Sequence, residues 1–168
     1  AMSDFFQTTS SRVQLGLTTS MVGLATGQLI FGPLSDKYGR RSPLLIAMAL
    51  FLISTVGCIF SQNISQFVAL RFVQGIAGAG GVVISRSIAA DKYSAHELAG
   101  MLATIGAING IATVVAPIGG GVLADFGGWH GIFWFLFIVG VLLIIGSMRF
   151  RESLPGGQRQ NIRWGDMY

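Results

Sequence analysis

Long apolar runs separated by short polar stretches dominate the chain. A membrane-spanning helix needs about 20 predominantly apolar residues, and five segments reach roughly this length. We place these segments at residues 13–34, 43–60, 67–89, 98–126 and 131–148. The runs are too long, and they alternate too little between polar and apolar positions, to be strands of a membrane barrel. The pattern predicts an all-α, polytopic transmembrane helical bundle with five spans in residues 1–148.

Composition supports a membrane location. Of the 168 residues, 52% are hydrophobic and 11% are charged, whereas a soluble domain averages about 25% charged residues. Too little polar material remains to cover a water-exposed surface. The 24 glycines agree, because small residues are enriched where membrane helices pack closely.

Nothing in the sequence indicates catalysis or a bound group. The single cysteine, Cys58, lies in an apolar run and offers neither a disulfide framework nor a metal cluster. Gly119-Gly120-Gly121 is followed by no Gly-Lys-Ser/Thr, so it is not a phosphate-binding loop. No nucleophile–base pair is visible. We therefore expect no enzyme activity, no metal site and no cofactor.

The basic residues set the orientation. If the first span ends inside the cell, nine of the eleven Lys and Arg residues lie in cytoplasmic stretches, and the opposite stretches carry only Arg12. Cytoplasmic loops of membrane proteins carry this excess of positive charge. The asymmetry predicts a multi-pass cell-membrane protein in which residues 149–168 begin a cytoplasmic linker. It also explains the net charge of +4 without a nucleic-acid partner.

This orientation places residue 1 outside the cell. Residues 1–12 contain no signal peptide or apolar run that would export them. We therefore expect a further span upstream and a parent chain that continues beyond residue 168. The alternative is a complete protein of five spans.

Small and polar residues follow one helical face in three of the five spans, since their steps are three or four. The positions are Gly16, Ser20, Gly23 and Gly27; Arg71, Gln74, Gly78 and Ser85; Ala103, Gly106, Gly110, Thr113 and Pro117. The second and fifth spans hold almost nothing polar, and we expect them to face lipid. The striped spans are expected to surround a central path, although the glycines alone would also fit packing seams.

The stretch Gly32–Ser42, GPLSDKYGRRS, joins the first two spans. Asp36 falls at the membrane edge, Gly39 predicts a tight turn, and Arg40 and Arg41 follow at the cytoplasmic surface. A carboxylate here can cap a neighbouring helix and pair with an arginine. We expect Gly32 to permit a close helix approach and the loop to latch one conformation. A plain basic hairpin would explain the cations but not Asp36 or the glycine spacing.

Two further features lie inside predicted spans. Arg71 lies roughly 9 Å within its helix, where a charge is costly unless it is paired or hydrated; snorkelling to the outer surface is the alternative. Pro117 interrupts a long apolar segment. Proline removes a backbone hydrogen bond and bends a helix, so it predicts either a gate or a simple kink.

These motifs resemble those of the major facilitator superfamily. GPLSDKYGRR matches the family's signature loop of Gly, three residues, Asp, two residues, Gly, Arg, then Arg or Lys. This resemblance makes the first span here the family's second. It implies a partial half-domain of a twelve-span transporter, completed by a first span and a carboxy-terminal half.

Two runs resemble the drug:proton antiporter branch of that family. RFVQGIAGAGG is similar to its fourth-span Arg-x-x-Gln-Gly-x-Gly pattern, with the last glycine one position late. The stretch around Ala116-Pro117 and Gly120-Gly121 resembles its fifth-span Gly-Pro-x-x-Gly-Gly motif, with alanine replacing the first glycine. The whole is most similar to bicyclomycin-resistance-type multidrug exporters. The resemblance implies proton coupling through Arg71, Gln74 and Gly75, and an antiporter-type kink at Gly110, Pro117, Gly120 and Gly121.

The function implied is proton-coupled efflux of drug-like small molecules by alternating access, in a bacterial inner membrane. No Asp or Glu lies in the middle of a predicted span, so the proton-carrying carboxylate is expected elsewhere in the parent chain. Candidate substrate-cavity residues are Gln28, Gln74 and Asn109. A sugar or metabolite facilitator of the same fold, or a non-transporting membrane assembly or sensor protein, are the alternatives.

Overall fold

The computed structural model describes residues 10–149, with side chains from residue 14 onward. Within this range the chain forms four helical stretches and no strand, which confirms the all-α prediction. α1 spans Ser10–Tyr38, α2 spans Arg41–Ile59, α3 spans Ile64–Lys92 and α4 spans Ala95–Met148. Each is long and apolar enough to cross a membrane. The predicted linker lies outside the described residues from residue 150 onward.

The stretch α4 consists of two segments. Its 54 residues would extend for roughly 80 Å as one helix, far beyond the thickness of a bilayer. The backbone is non-helical at Gly128, with φ 61° and ψ −165°. Asn109 and Gly140 line the same cavity, although a straight helix would separate them by roughly 45 Å. The chain therefore folds back at Gly128, and the predicted loop at this position is reduced to a single non-helical residue.

Local sequence signals define the other helix ends. The side chain of Asn63 accepts a 2.9 Å hydrogen bond from the backbone N–H of Gln66 at the start of α3. Ser94 and Glu97 form a reciprocal capping box at the start of α4. Gly39, between α1 and α2, has φ 90°, a backbone conformation that favours glycine.

Glycines bring α1 and α3 into backbone contact. A Cβ atom added at Gly75 would meet the carbonyl oxygen of Ser20, and one added at Gly23 would meet that of Phe72. The hydroxyl of Ser20 donates a 3.2 Å hydrogen bond to the carbonyl of Arg71 across the same seam. The small-residue stripe of α1 is thus a packing seam, the alternative that its glycines left open.

The two spans expected to face lipid are each buried on one side. In α2, Ala47, Thr55 and Cys58 are fully buried, whereas Ile46 and Ile53 are exposed. The last segment of α4 packs against it, and a Cβ atom at Gly140 would lie 2.7 Å from the Leu52 side chain. By contrast, the predicted small-residue stripe of the first α4 segment is exposed. Hydropathy revealed these segments, but it could not reveal which side of each is buried.

The helix ends meet at two levels. Phe67, Trp129 and Phe133 form an aromatic cluster at one end, with ring centroids 5.7–6.0 Å apart. At the other end, Arg41 donates a 3.1 Å hydrogen bond to the carbonyl of Met148. The second end is therefore the one that carries the basic residues predicted to be cytoplasmic.

Candidate functional site

Three charged residues converge at the end of the bundle that is predicted to be cytoplasmic. We call Asp36, Arg40 and Asp91 the charge cluster. Arg40 Nε donates a 2.8 Å hydrogen bond to Asp91, and its Nη2 donates another, of 3.3 Å, to the same carboxylate. Its Nη1 donates to Asp36 and to the hydroxyl of Ser35. The predicted pairing of Asp36 with an arginine is therefore present. The cluster ties the end of α1, the start of α2 and the end of α3 together.

Each member of the charge cluster lies at the helix end that its charge disfavours. Carboxylates are favoured at helix amino termini and cations at carboxyl termini. Asp36 and Asp91 instead lie in the last turns of α1 and α3, and Arg40 occupies the position just before the first residue of α2. Mutual pairing offsets these penalties. Burial alone would lower the pKa of Arg40, but hydrogen bonds and charge from both carboxylates raise it overall.

Asp91 was not identified by the sequence reasoning. The signal available was an acidic residue in the last turn of a helix, where the helix dipole disfavours it and a cationic partner is needed. Its side chain is only 17% exposed. The partner, Arg40, is 51 residues away in the sequence, so only the fold reveals the pair.

The remaining residues of the predicted latch loop have mixed outcomes. Gly39 makes the turn that brings Arg40 back over the end of α1. Arg41 donates its described hydrogen bond to the carbonyl of Met148. Gly32 was expected to permit a close helix approach, but nothing described lies within 4 Å of a Cβ atom placed there. The amino terminus of α2 has no side-chain cap, so Asp36 does not serve as one.

A second polar group lies within the membrane-spanning region and links α3 to α2. Arg71 Nη1 donates a 2.5 Å hydrogen bond to Gln74 Oε1, and Gln74 Nε2 donates a 2.8 Å bond to Thr55 Oγ1. We call Arg71, Gln74 and Thr55 the polar chain. The guanidinium also lies 5.8 Å from the ring centroid of Phe133, a cation–π distance. Arg71 is thus held by neighbours inside the bundle, in place of the snorkelled alternative.

Within the described residues, no carboxylate pairs with Arg71. Its positive charge is stabilised by two neutral partners, the amide oxygen of Gln74 and the aromatic face of Phe133. Gly75, one residue after Gln74, brings α1 close enough for Ser20 to meet α3. The predicted group Arg71, Gln74 and Gly75 is therefore gathered at one place, with Thr55 as a member that the sequence did not reveal.

Two members of the polar chain, Arg71 and Gln74, border a cavity of about 430 Å³ between α1, α2, α3 and the second segment of α4. Arg71, Gln74 and Ser20 provide polar groups in its wall, and Met21, Phe51 and Leu136 provide apolar surface. Such a mainly apolar cavity with a few converging polar groups is typical of small-molecule sites. Gln74 thus lies where a cavity residue was expected.

The other two cavity candidates lie elsewhere. Gln28 is exposed on α1. Asn109 lines an adjoining cavity of about 570 Å³, which shares Phe51 and Gly78 with the first. The three candidates therefore do not share one cavity in the described part of the chain. Only Gln74 borders the cavity that contains Arg71.

The antiporter-type kink residues lie in the first segment of α4. Pro117 and Gly110 are exposed, and nothing described lies within 4 Å of a Cβ atom at Gly110, Gly120 or Gly121. The backbone around Pro117 remains helical, and the non-helical residue of α4 is Gly128. No gate at Pro117 follows from this geometry.

Comparison with known proteins agrees with the sequence motifs. The family model of the Major Facilitator Superfamily matches residues 1–165. An uncharacterised MFS-type transporter, YdgK, from Bacillus subtilis is 45% identical over 87% of this chain and 37% of its own length. A bicyclomycin resistance protein homologue from Haemophilus influenzae is 37% identical over 78% of this chain and 33% of its own length.

A more distant relative is Multidrug resistance protein 3 of Bacillus subtilis, 30% identical over 86% of this chain and 28% of its own length. The chain spans roughly a third of the length of these curated relatives. Because the family match extends over almost every residue, the family is established for the chain as a whole. This multi-pass membrane chain belongs to the major facilitator superfamily, and its relatives include proteins of the drug-efflux type.

Proposed function

We propose that this chain is part of a proton-coupled exporter of drug-like small molecules that works by alternating access. The observation that carries the proposal is the polar chain at the wall of the 430 Å³ cavity. A cation buried in the membrane is costly and is characteristic of ion pathways and substrate sites. Its position beside a mainly apolar cavity suits coupling of charge movement to binding of an apolar compound.

The charge cluster supports the conformational part of the proposal. It joins the cytoplasmic ends of three helices through one arginine, and breaking any pair leaves buried charge behind. Such a cluster favours one arrangement of the helices and is released in another, which makes it a two-state element. Arg40, with its carboxylate partners, is the residue we propose as the latch.

Relatives support the substrate class. The names of two of them refer to bicyclomycin resistance and to multidrug resistance, and we propose a drug-like substrate for this protein on that basis. Because the relatives are about three times longer, we propose that a further first span and a carboxy-terminal half complete the transporter. Residues 149–168 would then form a cytoplasmic linker, and the bacterial inner membrane would be the location.

The test uses the full-length transporter in everted membrane vesicles. An imposed pH gradient should drive uptake of bicyclomycin or a fluorescent drug into the vesicles, and a protonophore should abolish that uptake. Uptake that persists undiminished with the gradient collapsed would indicate a facilitator and would overturn the proposal. Vesicles from cells without the transporter give the baseline.

A further inference from the structure

The hydroxyl of Thr55 connects an otherwise apolar helix to the polar chain. Thr55 is fully buried in α2, and the Gln74 side chain that it meets belongs to a residue only 3% exposed. Their hydrogen bond, 2.8 Å long, crosses from α3 to α2. Because α2 contributes no other described polar side-chain contact to this group, the bond is the link between the helix and Arg71.

The direction of each hydrogen bond is fixed by its neighbour. The Thr55 hydroxyl has one proton, which it donates to the carbonyl oxygen of Phe51 at 2.7 Å. Its oxygen can therefore only accept from Gln74, which must present its amide NH₂ group. The carbonyl oxygen of that amide is thereby turned towards the guanidinium of Arg71.

We propose that Thr55 is a positioning residue that holds Arg71 at the cavity wall by fixing the orientation of the Gln74 amide. The inference rests on the proposed function, since it assigns Thr55 a part in the proton-coupled step. Thr55 itself does not border the cavity with Arg71, whereas Gln74 does. It therefore acts through Gln74 and not on the transported compound.

Removal of the hydroxyl has a defined consequence. In Thr55→Val the side chain keeps its volume, but the amide NH₂ of Gln74 is left buried without this partner. A buried donor that loses its partner is costly, so the Gln74 side chain loses its anchor on α2. It can then shift towards another acceptor, which weakens the hydrogen bond that holds Arg71. Thr55→Ser retains the hydroxyl and should restore the arrangement.

Ser54 provides a matched control. It is 1% exposed on the same helix, but its hydroxyl donates only to carbonyls of its own helix, those of Leu50 and Phe51. Ser54→Ala therefore removes a buried hydroxyl without touching the polar chain. Any general effect of losing such a group from α2 will appear in this variant.

The experiment compares the wild type, Thr55→Val, Thr55→Ser and Ser54→Ala in the full-length transporter. Two rates are measured: drug uptake driven by a pH gradient, across a range of pH, and counterflow exchange of drug without a gradient. We expect Thr55→Val to lower gradient-driven uptake on the order of tenfold and to move its pH midpoint by about half a unit or more. Counterflow should stay near wild type, which also verifies that the variant is folded.

The outcomes separate the two proposals. If drug uptake by the wild type is the same with and without the pH gradient, the proposed function is wrong. If wild-type uptake depends on the gradient but Thr55→Val behaves as Ser54→Ala does, the positioning role alone is wrong. Equal losses of both rates in Thr55→Val, or failure of Thr55→Ser to restore them, would also contradict it, because the effect would then be structural.

Discussion

Arg40 and Asp91 are joined by two hydrogen bonds, of 2.8 and 3.3 Å, although 51 residues separate them. The pair joins the last turn of α3 to the start of α2. The contacts of the signature loop therefore include a residue outside it, because Arg40 of the loop donates two hydrogen bonds to Asp91 on α3.

We predict that Asp91→Asn lowers drug export on the order of tenfold in the full-length protein. The amide keeps the shape of the carboxylate but removes the charge that binds Arg40, so the latch is weakened. Export is measured in cells and normalised to transporter in the membrane. Asp125→Asn, at an exposed position, is the control and should export normally. Normal export by Asp91→Asn would confine the latch to α1 and α2.

For Asp36→Asn we expect export to be abolished while membrane insertion remains intact. This carboxylate is the second partner of Arg40. Its loss leaves the buried guanidinium without a negative charge at the end of α1. The amount of protein in purified membranes reports insertion, and drug accumulation reports export. Unchanged efflux would remove the latch role of Asp36.

Arg71→Ala should eliminate proton coupling. The substitution removes the only cation described at the wall of the 430 Å³ cavity and leaves Gln74 without its charged donor. The pH dependence of uptake in everted vesicles is the measurement. Arg86→Ala, which removes an exposed cation from the same helix, is the control. If drug uptake by Arg71→Ala depends on pH as it does in the wild type, Arg71 only anchors its helix.

Gly75→Ala should destabilise the protein by about 1–3 kcal/mol. The new methyl group would meet the backbone carbonyl of Ser20, which cannot move aside as a flexible side chain can. Gly78→Ala lies one turn further along the same helix, where nothing described is within 4 Å. It should be neutral or slightly stabilising. The midpoints of thermal unfolding in detergent give the comparison, and equal midpoints would refute close packing at Gly75.

Cysteine labelling should reveal the predicted orientation. We expect Lys37→Cys and Arg149→Cys to react with an impermeant maleimide only from the cytoplasmic side, and His130→Cys only from the outside. The native Cys58 has no exposed surface, so it should give little background in the unsubstituted protein. Labelling of positions 37 and 149 from opposite sides would disprove the topology.

The sequence was sufficient for the features that depend on local pattern. Apolar length located the helices, and Gly39 in the signature loop indicated the turn that the structure has at φ 90°. Arg71 and Gln74 were placed on one face because residues three apart share a helical face, and the structure joins the two by a hydrogen bond. In each case the information lies within a few residues of the chain.

Tertiary contacts explain what the sequence did not reveal. Thr55 lies in a run that reads as apolar throughout, and its importance depends on Gln74 on another helix. Gln28 and Asn109 lie in apolar stretches of sequence, as Gln74 does, yet neither lines its cavity. A polar residue in a span is readily recognised in a sequence, but the direction it faces depends on how the helices pack.

The fold-back at Gly128 restricts how α4 can move. A single non-helical residue leaves no spare chain between the two segments, so neither can slide along the other without unwinding its own end. In a cycle that reshapes the bundle, the two segments must tilt together as a hinged pair. Slack for independent motion is instead available between α2 and α3, where residues 60–63 lie outside both helices.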